Sequence, residues 1–230
     1  MKVSIRPFIL SAMEPGSPSI PKPDTAPEPP LNPRMESLVA AAEVIFLSKG
    51  YHNATMSDIA RRAGMSKRTV YTLVSSKVEL FAELLAHRKS KLQFPTPAPD
   101  EPVEETLCAN LLCLAKFLLD PAQIAISRMV ITEYGHNPDF SNIFLSSRLR
   151  KAQSHMETCL LDLALTHGAT REEARESASM LFGMALGDFL FNALSGFRAL
   201  PSPKAVEERI RTSVGIFLAG CKAEHGSRVR

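Results

Sequence analysis

The chain contains no tryptophan and only three tyrosines, and aromatic residues make up 7% of it. No long run of alternating β-branched residues appears either. A β-sandwich or barrel core rests on such residues, so their scarcity argues against one. Four cysteines, Cys108, Cys113, Cys159 and Cys221, lie far apart with no Cys-x-x-Cys spacing. That excludes a disulfide scaffold and leaves no histidine placed to complete a metal site, so buried, reduced thiols are expected. His-Glu-x-x-His, Gly-x-Ser-x-Gly and phosphate-binding glycine loops are missing as well, which argues against an enzyme and against any cofactor. No secretion signal is visible, because Arg6 and Pro7 interrupt the first apolar residues. The apolar stretch 180–197 contains Asp188 and Asn192 and is bracketed by Arg175 and Arg198. It therefore reads as a buried interface helix and not as a membrane span, and a cytoplasmic protein is expected.

What is present is abundant leucine and alanine within a hydrophobic content of 45%, enough for a sizeable core in 230 residues. This composition predicts an all-α chain. Residues 1–32 are crowded with proline and poor in periodic apolar positions, and they read as a disordered leader, with Met13 as an alternative start. Beyond it, helix starts are marked by a capping residue followed by proline at Asn32-Pro33, Asp120-Pro121, Asn137-Pro138 and Ser202-Pro203. Proline costs nothing at the first helical position, where its missing N–H has no partner in any case. Thr170 with Glu173 marks another start, and Gly50, Gly64, Gly168 and the 95–99 segment mark stops. Helices are predicted at 33–49, 56–63, 67–73, 77–92, 103–119, 121–134, 138–166, 171–197 and 203–222. They fall into an N-terminal domain over 33–92 and a C-terminal domain over 101–224.

Residues 55–77 are the most informative. Thr55 and Asp58 form a capping box, Gly64 can take the left-handed conformation that ends the helix they open, and Ser66 caps the next. Ser76 with Glu79 opens a third. The middle helix is about two turns long, so its neighbours must hold it while its basic start, Lys67-Arg68-Thr69, points outward. That is the geometry of a helix-turn-helix, whose recognition helix puts its first residues into a DNA major groove. Leu38, Ala41, Ala42, Ile45 and Phe46 lie on one face of the first helix and should form a small core with Val70 and Phe81. Between residues 34 and 91 ten basic residues stand against five acidic ones, so this segment carries all of the chain's excess positive charge.

The segment from about Arg34 to His87 resembles the DNA-binding domain of the tetracycline-repressor (TetR) family. Ala41-Ala42, Phe46, Gly50-Tyr51, Thr55 before Asp58-Ile59-Ala60, Ala63-Gly64-Met65-Ser66, Thr69-Val70-Tyr71 and Ser76-Lys77 carry the likeness. Val74 stands where phenylalanine is usual, and Val78 where glutamate is usual. The resemblance implies an N-terminal three-helix DNA-binding domain and a C-terminal helical domain for ligand binding and dimerisation, about nine helices in all. At least one of Lys67, Arg68 and Thr69 is expected on a base edge, the alternative being phosphate contact alone. Thr55 and Tyr71 are expected on phosphate, and Ser66, the cap of the recognition helix, is counted with the DNA-binding residues. Lys77 begins a helix whose free N–H groups favour an anion, and the resemblance implies that it binds backbone phosphate.

In the C-terminal domain, Ala178, Gly183 and Gly187 permit close approach of helices, and Val206, Ile210, Val214 and Phe217 recur at helical spacing. Packed on their symmetry mates, they would make a four-helix dimer interface. Phe117, Met129, Phe144 and Met156 read as ordinary core or, together, as the lining of a pocket for a small apolar ligand, with His155, Asp188 and Asn192 to orient it. The reading is a homodimeric regulator on a double-stranded operator, usually a repressor in the resembled family. A non-specific architectural DNA-binding protein is the alternative.

Overall fold

The structure is a computed structural model, and it describes residues 32–134, apart from 97 and 99, and residues 171–226. Among the described residues every regular element is helical. The expected leader, the helix at 138–166, the Thr170–Glu173 box, Cys159, Phe144, His155 and Met156 lie outside them. In chain order the elements are α1 (Pro33–Asn53), α2 (Met56–Arg62), α3 (Lys67–Leu73), α4 (Lys77–Ser90), α5 (Val103–Leu118), α6 (Pro121–Tyr134), α7 (Arg171–Phe182), a π-helical turn (Gly183–Gly187), α8 (Asp188–Ser195) and α9 (Pro203–Gly226).

The start signals read from the sequence act as caps. The Asn32 side chain accepts from the Arg34 N–H at 3.0 Å, Thr55 from Asp58 at 3.1 Å, Ser66 from Thr69 at 3.1 Å and Ser76 from Glu79 at 3.1 Å. Asp120 and Ser202 do the same for α6 and α9, at 3.0 and 3.2 Å. The Glu79 carboxylate differs from the expected box. It reaches one residue further back, accepting from the Ser75 N–H at 2.6 Å and from the Ser75 hydroxyl. Gly64, at φ 66°, ends α2 with the Met65 N–H on the Ala60 carbonyl (2.9 Å) and its own N–H on Arg61 (3.2 Å), a Schellman arrangement. Gly50, at φ 75°, breaks α1 and lets the chain continue for one more short turn. That turn swings Tyr51 inward.

Two compact units form. In one, α1 packs on α2, α4 and α6, and α2 on α3. Its core is Leu38, Val39, Ala42, Phe46, Ile59, Val70, Leu80, Phe81, Leu84 and Ile126, with Met129 and Val130 against it. Phe46, Tyr51 and Phe81 sit at its centre with ring centroids 5.2–5.5 Å apart. α6, which the sequence boundary counts with the C-terminal domain, packs on α1 and clusters with the DNA-binding unit. Met129, expected in a ligand pocket, is half-buried and packs against that core. Arg88 of α4 ties this arrangement together. Its guanidinium donates to Glu43 of α1, to Asp120 at the start of α6 (2.8 Å) and to Gln123 of α6 (2.9 Å).

In the other unit α9 packs on α5, on α7 and on the π-helical turn. The helix expected over 171–197 is therefore interrupted at Gly183–Gly187 by one wider turn. It stops at Gly196, whose φ of 75° suits a left-handed cap. Val206, Ile210, Val214 and Phe217 are all under 8% exposed within the single chain, as are Leu107 and Leu111 of α5 and Leu181 and Leu186 opposite. Burial pushes the Cys108 and Cys113 thiols up from their ordinary value, which favours the protonated form.

Replacing Arg88 by methionine leaves Glu43 and Asp120 without their shared cation. A thermal melt should show a loss of about 2 kcal/mol. An unchanged melting temperature would show that the hub carries no stability.

Candidate nucleic-acid interface

α3 has only seven residues, too few to be stable alone. Val70 is fully buried, Val74 caps the end at 2% exposed, and Ser66 closes the start. Valine at 74, where the resembled family has phenylalanine, still fills the hole under α3. This fixes the outward arc of the helix: Lys67, Arg68, Tyr71 and Thr72 are exposed, and Tyr71 is 52% so. Both cations lie in the first turn, where a recognition helix meets base edges. The Thr69 hydroxyl is paired with Ser66 at 2.9 Å, which leaves its methyl as the outward group. Thr72, not singled out in the sequence, completes the arc. Its hydroxyl donates to the Thr69 carbonyl at 2.7 Å, so it too offers a methyl. Its place one turn after Arg68 was the available signal.

Asp58 would put negative charge beside this face if it were free. It is instead held by Lys49 at 2.9 Å, by Arg61 at 2.8 Å and by the Thr55 hydroxyl at 2.8 Å. The Lys49 bond first, then the Thr55 bond, lower its carboxyl from 3.8 to about 2. Asp58 therefore stays ionised and compensated. Thr55, expected on phosphate, has its hydroxyl committed to this cap. Arg61 remains exposed at 78% of its side chain and Arg62 is exposed beside it.

Lys77 departs most from expectation. Its ammonium donates to the carbonyls of Tyr51 (2.8 Å), Ala54 (3.1 Å) and His52 (3.2 Å) and sits 4.4 Å from the centre of the Tyr51 ring. All three donors are used inside the protein, so the side chain latches the α1–α2 corner to α4. Burial pulls its pKa down from the ordinary lysine value, and burial raises the Tyr51 phenol to about 12. The seven residues expected at the DNA face thus divide. Lys67, Arg68, Thr69 and Tyr71 project from α3, while Thr55, Ser66 and Lys77 hold it in place.

Comparison with known proteins agrees with this geometry. Residues 38–84 match the family described as bacterial regulatory proteins, tetR family, and residues 105–221 match the AefR-like transcriptional repressor C-terminal domain. The chain belongs to the TetR family of transcriptional regulators. Members of this family are regulators and not enzymes. The transcriptional regulator SrpR of Pseudomonas putida is 27% identical over 184 residues, which is 80% of this chain and 83% of that protein. The transcriptional activator FasR of Mycolicibacterium smegmatis is 41% identical over 63 residues, 27% of this chain and only 29% of that protein. Among solved structures, the flavonoid-responsive regulator FrrA superposes with a TM-score of 0.59 at 26% identity, covering 81% of this chain and 96% of that one.

Three outcomes test the site of this TetR-family chain. Arg68→Ala should relax base preference at one position, at a cost of about 1–3 kcal/mol on the preferred duplex; unchanged selectivity moves Arg68 to phosphate contact. Lys77→Met should lower thermal stability by about 1–2 kcal/mol by stripping three carbonyls of their donor, while the salt dependence of DNA binding keeps its slope; a flattened slope would restore the phosphate role. Because the folded-state pKa of Asp58 is depressed, its contribution is complete above about pH 4 and is lost as pH falls towards 2. Acid unfolding followed by circular dichroism should therefore lose steepness in that window in Asp58→Asn, and an identical acid limb would contradict the assignment.

Proposed function

We propose that the chain is a cytoplasmic, homodimeric, operator-specific repressor that leaves its DNA when a small ligand with a largely apolar body binds. The observation that carries the reading is the capped α3, anchored through the buried Val70, with Lys67 and Arg68 exposed in its first turn. The family match to a repressor-type C-terminal domain favours repression, and the name of FrrA, a flavonoid-responsive regulator, favours a ligand.

One such helix reads a half-site, so a dimer is required for a full operator. The sequence expectation for its interface needs correction. Val206, Ile210, Val214, Phe217 and Ala178 are buried inside the protomer, because α9 uses that face against α5 and the π-helical turn. Gly183 and Gly187 stay outward, with nothing within 4 Å of an added Cβ. They lie between Met180 and Met184 (each 37% exposed) and Phe191 (62%), at helical spacing. Phe197 at 72% packs edge-on against Phe191, and on α9 Ile216 is 59% exposed beside the open Gly215 and Gly220. This apolar stripe with small residues is the surface a second copy would cover. The helix Arg175–Ser195 is long and apolar enough by composition to cross a membrane. A partner helix on this stripe accounts for that apolarity, consistent with the exposed Asp188 that Asn192 bonds at 3.0 Å. That same pair satisfies each other's polar groups, which argues against their orienting a ligand.

Selection of bound duplexes from a randomised pool tests the reading. A palindromic motif is expected; salt-sensitive capture of every sequence would favour an architectural DNA-binding protein instead. Gly187→Leu adds bulk that the isolated protomer has room for, so it should lower the mass seen by light scattering to that of a monomer and abolish operator binding. An unchanged dimer would contradict the interface.

A further inference from the structure

Thr106, Asn110, Cys113 and Phe117 follow one another along α5 at spacings of four, three and four, and so share one face of the helix. The other side of α5, with Leu107, Cys108, Leu111 and Ala115, is buried, and α5 packs on α9. Thr106 is 3% exposed and Asn110 is fully buried, while Cys113 and Phe117 are half-buried. On α7 of the same unit, Ser177 is 1% exposed.

The hydroxyls of Thr106 and Ser177 have no hydrogen-bond partner among the described residues. A helical hydroxyl normally settles on the carbonyl four residues back. In this chain Ser37, Thr132 and Thr212 do so at 2.8–3.0 Å. Thr106 and Ser177 forgo that bond while buried, a standing cost unless a bound group meets them. Thr106, Asn110, Cys113, Phe117 and Ser177 carry no charge themselves, so a charged ligand group would find no counter-charge among them to repay its desolvation.

We infer that the Thr106–Asn110–Cys113–Phe117 face of α5, with Ser177 of α7, takes an uncharged ligand whose apolar body carries hydroxyl or carbonyl groups. The inference rests on the ligand-responsive reading above and narrows it. Phe117 and Cys113 supply apolar contact, and Thr106 and Ser177 supply directed hydrogen bonds. Fatty carboxylates and organic cations are disfavoured.

Three probes with one ring system separate the terms: 2-naphthol, naphthalene and 2-naphthoate, each added to the full chain in thermal melts. 2-Naphthol should stabilise most, by roughly 3–6 °C at tenfold excess over its Kd, and 2-naphthoate least. In Thr106→Val/Ser177→Ala the advantage of 2-naphthol over naphthalene should vanish, while the melting temperature without probe holds or rises. A double variant that melts several degrees lower and still prefers 2-naphthol would assign the hydroxyls to the fold or to internal water and overturn the site. So would a preference for 2-naphthoate, or no shift with any probe. Operator release separates the two readings. If 2-naphthol binds through these residues but leaves affinity for the selected duplex unchanged, the site stands and ligand-controlled release fails. If it releases wild type and double variant alike, release stands and this site falls.

Discussion

The arrangement depends on holding a two-turn helix still. α3 cannot propagate on its own hydrogen bonds, so its order is borrowed from Phe46, Tyr51 and Phe81. Gly50 makes this possible by taking a positive φ that lets the chain turn Tyr51 back into the core. Lys77 then closes the corner by satisfying three carbonyls that the turn at Tyr51–Ala54 leaves exposed to the interior. With the corner latched, Val70 and Val74 have a fixed surface to pack on, and the helix backbone that carries Lys67 and Arg68 is ordered before binding, which lowers the ordering cost.

A second constraint runs through Arg88. One guanidinium satisfies acceptors on α1 and α6 at once, which joins the first and last helices of the DNA-binding unit through α4. The cap of α6 shares the same carboxylate: Asp120 Oδ1 accepts from both Arg88 and the Gln123 N–H. The start of α6 is thus specified by the residue that fixes α4, and any displacement of α6 must be answered at Arg88.

Much of this was legible beforehand, for a physical reason. Caps, glycine stops and apolar spacing act within four residues, so Asn32, Thr55, Ser66, Ser76, Asp120 and Ser202 announced their helices directly. The faces that meet other elements were less legible. The stripe Val206–Phe217 is the same pattern whether a helix packs on its own chain or on a partner, and periodicity cannot tell them apart; here the protomer claims it. Met129 fits a core and a pocket equally well by sequence, and its packing against the α1 core appears only in the fold. The corner bonds of Lys77 were not legible because the three carbonyls it meets lie 23 to 26 residues away. Arg88 went unremarked for the same reason, with partners 32 to 45 residues distant.

The central claim is that α3 is ordered before DNA arrives, by the Tyr51–Lys77 corner. Amide hydrogen exchange on the free full-length protein tests it most directly, at the Val70 and Val74 N–H groups that bond Ser66 and Val70. The account predicts that both exchange only as slowly as the surrounding core, through cooperative unfolding of the unit. Rapid exchange of these two amides in the free protein, with protection gained only on a DNA duplex, would contradict it.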